Sequence, residues 1–264
     1  MTIHFRGALL LAALALLVRD THAQSLAARV AAVKQGTVEM HFTSRRGICG
    51  DGLHYLSFGG RSRMVEFDGN GNWNAPCLPG PVRVRMQIDD GAIRNIHAYV
   101  GPLRSVAPDP VTDLGEVPAR AAAEYFLQVA ARSDGRAGGN AIVPAVLADS
   151  ISVWRQLLGI SRDGARPHST RNDAAFWLSR FASAKINGHA EDLGTDDESV
   201  RQEDDPRTSA VFALSQLRNG EGIVPLVHVA RTNPDAQLRS KALFWLGQSG
   251  DPRGLDVMEE ILAR

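Results

Sequence analysis

The stretch KALFWLGQSGDP, Lys241 to Pro252, decides the fold, because it reads as an apolar helix running into a Gly-Asp-Pro turn and recurs twice in altered form. DAAFWLSRFASA starts at Asp173 and SAVFALSQLRNG at Ser209. Aligned without gaps, the three copies share Arg-x-x-Ala-x-Phe-x-Leu, beginning at Arg171, Arg207 and Arg239. Starting positions 36 and 32 residues apart have the period of stacked helical pairs. A second apolar run accompanies the copies, clearest in GIVPLVHVAR before the third and GLDVMEEILAR after it. The latter alternates Asp256, Glu259 and Glu260 with apolar positions, as a polar C-terminal cap would.

At about 100° per residue, Leu238, Ala242, Trp245 and Leu246 fall on one broad face of the third copy, with Phe244 nearly opposite. A helix apolar on more than one side has neighbours on more than one side. The expected repeat core is therefore Ala174, Phe176 and Leu178, then Ala210, Phe212 and Leu214, then Ala242, Phe244 and Leu246. Replacing Phe212 or Phe244 with alanine is expected to cost about 3 kcal/mol or more if the rings are buried. The small alanines suit close helix approach, although plain helix propensity explains them too. Arg239 falls among apolar positions, where a guanidinium needs a partner or a solvated head. Asp235 stands four residues earlier, and Asp204 and Asp205 stand similarly before Arg207. The expected role of Arg171, Arg207, Arg239, Asp205 and Asp235 is a structural ladder between repeats rather than catalysis.

This motif, with an aspartate ahead of the arginine and Gly250-Asp251-Pro252 leading into the next helix, resembles HEAT repeats in the short HEAT-like form also found in phycobilin lyases. The resemblance runs from Arg171 to the C-terminus, and by helix spacing alone from about Val117 to Asp163. It implies an α-solenoid of about four helical pairs whose usual role is to hold another protein or peptide. Phycobilin-lyase activity does not carry over, since no lyase-specific residue is identified.

Ahead of the helices the period changes to two. Val38, Met40 and Phe42 alternate in TVEMHFT, as do Val82, Val84, Met86 and Ile88 in VRVRMQID, which predicts half-buried strands. Asp90-Gly91 supplies a tight hairpin turn before AIRNIHAYV. A small antiparallel sheet is expected, closed by a disulfide between Cys49 and Cys77; a metal site is the rival reading, but no histidine stands at ligand-like spacing from either cysteine. GPLRSVAPDPVTDLGEVP, with four prolines, reads as an exposed connection.

The N-terminus has Arg6, an apolar run from Ala8 to Val18, and small residues at Thr21 and Ala23. That layout predicts a secretory signal cleaved near Ala23, and the run is shorter than the ~20 residues of a membrane-spanning helix. The expected organisation is α+β multidomain: signal peptide 1–23, disulfide-closed antiparallel β domain 24–105, linker 106–117 and HEAT-like α-solenoid 118–264.

Lysine plus arginine equals aspartate plus glutamate at 29 each, which disfavours nucleic acid as a partner. No His-Glu-x-x-His, Gly-x-Ser-x-Gly or phosphate-loop motif is present, so no catalytic residue, metal ligand or cofactor is assigned. Asp68-Gly-Asn-Gly-Asn72 starts like a calcium loop but has Trp73 and Pro79 at two required positions. The acidic run 189–205, with eight carboxylates, reads as a solvated insertion, with a calcium site or docking surface as alternatives. Trp154, Trp177 and Trp245 are expected to pack in the core rather than form a binding platform, whereas Trp73 is a candidate contact residue. The functional expectation is an exported, periplasmic or secreted, non-enzymatic scaffold for a protein or peptide, without a membrane span in the mature chain. The alternative is an envelope hydrolase or metal-dependent enzyme at the junction of sheet and helices, using His54, His97 and Asp68.

Overall fold

A computed structural model describes residues 26–53, 56–58, 77–102, 111–149, 151–188 and 206–264. The expected signal segment, His54, Asp68, Trp73, Asp205 and the acidic run lie outside the described residues. A short helix, α1 (residues 26–31), leads into β1 (Gln35–Phe42), β2 (Ile48–Gly50) and β3 (Leu56–Phe58). There follow β4 (Val82–Asp89), β5 (Ala92–Val100) and β6 (Val111–Glu116). The helical part comprises α2 (Ala119–Arg132), α3 (Arg136–Leu147), α4 (Trp154–Arg162), α5 (His168–Ile186), α6 (Pro206–Ser215), α7 (Ile223–Thr232), α8 (Ala236–Ser249) and α9 (Pro252–Ala263). No helix among the described residues is long and apolar enough to cross a membrane.

The four-stranded sheet has the order β5-β4-β1-β6. β4 pairs antiparallel with both β1 and β5, and the β4–β5 turn has positive φ at Asp90 (57°) and Gly91 (72°), as the Asp-Gly pair predicts. β6 pairs parallel to β1, so the sheet is mixed and the antiparallel expectation is corrected. Its strand occupies Val111–Glu116, inside the stretch expected to be a linker. The reason lies in long-range contacts: Val117 N–H donates to the carbonyl of His41 on β1 at 2.9 Å, and Arg29 from α1 donates to the carbonyl of Leu114 at 2.7 Å, holding the segment against β1 and α1. β2 and β3 form a separate ribbon, and Cys49 of β2 is disulfide-bonded to Cys77.

Val38, Met40, Phe42, Val82, Val84 and Met86, the alternating residues of β1 and β4, are wholly buried. Their face meets helices rather than a second sheet: α3 packs on β4 and β5, and the Phe42 ring lies 6.5 Å from that of Phe126 on α2. Burial there lifts the Tyr125 phenol to about 12. Sheet and helices thereby share one continuous hydrophobic core.

Among the helices, α2 packs on α3, α4 on α5, and α7 on α8. α5 packs directly against α8, and α9 folds back over α5, α7 and α8. The carboxylates of α9, the segment expected to cap the repeats, are engaged: Arg162 of α4 reaches Asp256 at 2.7 Å and Glu259 at 2.8 Å, and Arg231 of α7 reaches Glu260 at 3.1 Å. At the start of α9, Asp251 accepts from the Arg253 N–H at 2.9 Å, and the Arg253 guanidinium holds its carboxyl below the usual carboxylate range.

Candidate functional site

The three motif copies lie on α5, α6 and α8, but not in sequence order: α8 packs between α5 and α6. Ala174, Leu178, Ala242 and Leu246 are at most 1% exposed, whereas Phe176 and Phe244 are half-buried, so the first and third copies bury the alanine and leucine positions fully and the phenylalanine only in part. The second does not. On α6 only Val211 is buried; Ala210 is exposed, Leu214 is half-buried and Phe212 is 47% exposed. The expectation that Ala210, Phe212 and Leu214 repeat the core positions of the other helices is therefore corrected.

The contact between α5 and α8 is closest at a glycine. Gly247 on α8 corresponds to Ser179 on α5 and Ser215 on α6. A Cβ at Gly247 would lie 2.9 Å from the Ser179 Cβ and 3.0 Å from the Ala175 carbonyl oxygen, so only the glycine-bearing copy approaches α5 this closely. Ser215 would carry that Cβ into the contact.

Aromatic rings follow the same spatial order. Phe176 meets Phe244 edge-on at 6.3 Å, Phe244 meets Trp245 at 4.9 Å, and Trp245 meets Phe212 at 5.2 Å. Trp177, 3% exposed, closes the buried end against Phe176 at 5.3 Å. The row runs from the α5 core to the surface of α6. Beyond Phe212, Leu217 is 47% exposed and Val224 of α7 is 61% exposed. Three large exposed apolar residues thus concentrate on the α6–α7 hairpin. Neither Leu217 nor Val224 is singled out in the sequence, where Val224 is one residue of the apolar run GIVPLVHVAR.

The arginine ladder has one rung among the described residues. Arg207 approaches the Asp235 carboxylate at 3.3 Å, which ties α6 to the start of α8. The same carboxylate caps α8 by accepting from the Gln237 N–H at 2.9 Å. Arg239 donates instead to the carbonyls of Asn233 at 2.7 Å and Pro234 at 3.1 Å, closing its own α7–α8 turn. Arg171 has a buried Nε with no hydrogen-bond partner among the described residues. Arg207 is 61% exposed, so its pair is worth a fraction of a kcal/mol and serves alignment more than stability. On α5, Asp173 lies against Gly139 of α3, and partial burial raises its carboxyl above the usual range.

His97 on β5 pairs through Nε2 with Asn95 Nδ2 at 2.7 Å and stacks on Tyr99 at 6.4 Å. Among the described residues no group of three or more His, Cys, Asp or Glu side chains is gathered as a metal site. Of the other tryptophans, Trp154 and Trp245 are half-buried.

The family model of PBS lyase HEAT-like repeats matches residues 238–264. That range takes in α8 from Leu238 onward and all of α9, so the Gly250-Asp251-Pro252 turn and the helices on both sides of it are similar to one HEAT-like repeat. No curated protein and no solved structure matches the chain.

Proposed function

We propose that this chain is an exported, non-enzymatic HEAT-like scaffold that binds a protein or peptide partner through the α6–α7 hairpin. The observation that supports it best is the concentration of exposed Phe212, Leu217 and Val224 where the aromatic row reaches the surface. Exposed apolar residues clustered in this way are characteristic of surfaces that are covered in use. The similarity of α8 and α9 to a HEAT-like repeat adds weight, because such repeats commonly serve as supports for binding surfaces. In this reading α5, α8 and α9 are the rigid support, and α6 is the element they present.

The test is to place a photo-crosslinking amino acid at Phe212 or Val224, irradiate the native cells, and identify attached proteins by mass spectrometry. The same partner captured from both positions, and not from Arg94 on the β4–β5 hairpin, supports the scaffold. Capture no different from that at Arg94 removes its basis. The enzymatic alternative retains a location, because a cleft does open where sheet and helices meet; of its three candidate residues only His97 is described, and His97 does not line that cleft.

A further inference from the structure

The cleft lies on a different part of the molecule from the α6–α7 hairpin. It has a volume of about 800 Å³, within the size range of clefts that take small organic ligands, roughly 300–1,000 Å³. Its described lining comes from four separate stretches of chain: residues 44–46 after β1, 149 and 151–154 leading from α3 into α4, Phe181 and Lys185 of α5, and Leu262 of α9.

Its walls are tied together before any ligand arrives. Ser44 and Ala148 form a β-bridge, the Arg45 N–H donates to the carbonyl of Leu147 at 2.7 Å, and the Asp149 N–H donates to that of Thr43 at 3.1 Å. The Arg45 side chain, 9% exposed, lies over the Phe181 ring at 5.6 Å and donates to the carbonyls of Val146 and Ile151 at 3.2 and 2.6 Å. The Lys185 ammonium donates to the carbonyl of Leu262 at 3.0 Å, near the end of α9. Lys185 is thus held by a carbonyl oxygen, which is neutral and leaves its formal charge in place, while the Arg45 side chain is committed to joining the walls.

Arg46 is different. It lines the cleft, is exposed, and has no ion-pair or side-chain hydrogen-bond partner among the described residues. Arg46 and Lys185, neither of them in an ion pair among the described residues, therefore stand in the lining with one described carboxylate, Asp149, in a chain whose charges balance overall. Trp154, its ring flanked by the Arg155 guanidinium at 4.5 Å, adds a broad apolar wall. A wall of that kind beside an excess of positive charge suits a ligand with an anionic head and an apolar body.

From this we propose that the cleft is a binding site for a small organic carboxylate, its carboxylate directed to Arg46 and Lys185 and its apolar body laid along Trp154. Arg46 is the recognition group, since it is the cation not already holding the fold together.

Calorimetric titration of the full chain at low salt tests the site, with naphthalene-2-carboxylate as an aromatic probe, octanoate as an aliphatic one and naphthalene-2-carboxamide as the uncharged match. Saturable binding of at least one carboxylate is expected, and whichever binds tells a planar body from a flexible one. Arg46→Glu should weaken it by about tenfold or more, the loss expected of a charge-assisted hydrogen bond, while Arg94→Glu on the distant hairpin leaves it unchanged. Because Arg46 is exposed, its variant is expected to fold, which an unchanged melting temperature checks. No saturable binding of either carboxylate overturns the proposal, as does equal binding of the carboxamide or undiminished binding by the folded Arg46→Glu protein. These outcomes are independent of crosslinking at Phe212 and Val224.

Discussion

Helices α8 and α6 carry the same Arg-x-x-Ala-x-Phe-x-Leu pattern and hold opposite positions in the molecule. In α8 the alanine and leucine are Ala242 and Leu246, both essentially inaccessible to solvent; in α6 they are Ala210, exposed, and Leu214, half-buried. Both helices place a phenylalanine in the same row of rings, yet Phe244 is half-buried between Phe176 and Trp245 whereas Phe212 ends the row in solvent. Among the positions at which the copies differ are the ninth, Gly247 against Ser215, and the one beside the phenylalanine, Trp245 against Ala213. A shared motif thus establishes that two segments are helical and apolar on the same side. Which of them reaches the core depends on the smallest side chain at the closest contact.

The contrast is broken most strongly by truncating matched leucines. Leu246→Ala is expected to cost about 3 kcal/mol, while Leu214→Ala costs no more than about 1 kcal/mol, because only the former leaves a fully enclosed cavity. Urea unfolding of the two variants measures both, and equal costs would mean that the two helices are equally enclosed. Gly247→Ala comes next. Its new methyl group meets the Ala175 backbone and the Ser179 side chain, so about 2 kcal/mol should be lost despite alanine's better helix propensity. A variant as stable as the parent would show that α5 and α8 are not held at this distance. Asp251→Ala removes the cap of α9 and should cost about 1 kcal/mol. The loss should fade in acid: the Asp251 pKa is depressed in the fold, so its contribution is present above the unfolded-state pKa and disappears as pH falls through the folded one.

Phe212→Ala gives the smallest effect on stability, below about 1 kcal/mol, because half of the ring is already in water. That is well short of the cost expected from the sequence on the assumption of burial. The same substitution should nevertheless abolish crosslinking of a partner at Val224, which separates a surface residue used for binding from one used for folding.

The sequence was legible wherever a period is local. Alternation in β1 and β4, the Asp90-Gly91 turn, the helical runs after Pro118 and the Cys49–Cys77 pair are all found where the sequence puts them. The parallel pairing of β6 was not, because a proline-rich approach and a non-alternating Val111–Glu116 carry no strand signal; the strand exists through its contacts with β1 and α1. The spatial order of α5, α8 and α6 was hidden for a related reason. Repeats suggest that neighbours in sequence are neighbours in space, and the Gly247–Ser215 difference that contradicts this is one residue in each copy. The cleft was further from reach, since Arg45 and Lys185 meet Ile151 and Leu262 only after the chain has folded. The Ser44-Arg45-Arg46 run just after a strand was the one local hint, and by composition alone it resembles any solvated turn.

Amide hydrogen exchange on the intact protein, resolved helix by helix, tests the central claim that the third motif copy rather than the second stacks against the first. The account predicts that α5 and α8 exchange together and slowest, through global unfolding, while α6 exchanges through local opening at a rate at least about a hundredfold faster. Protection of α6 equal to that of α8 would contradict it.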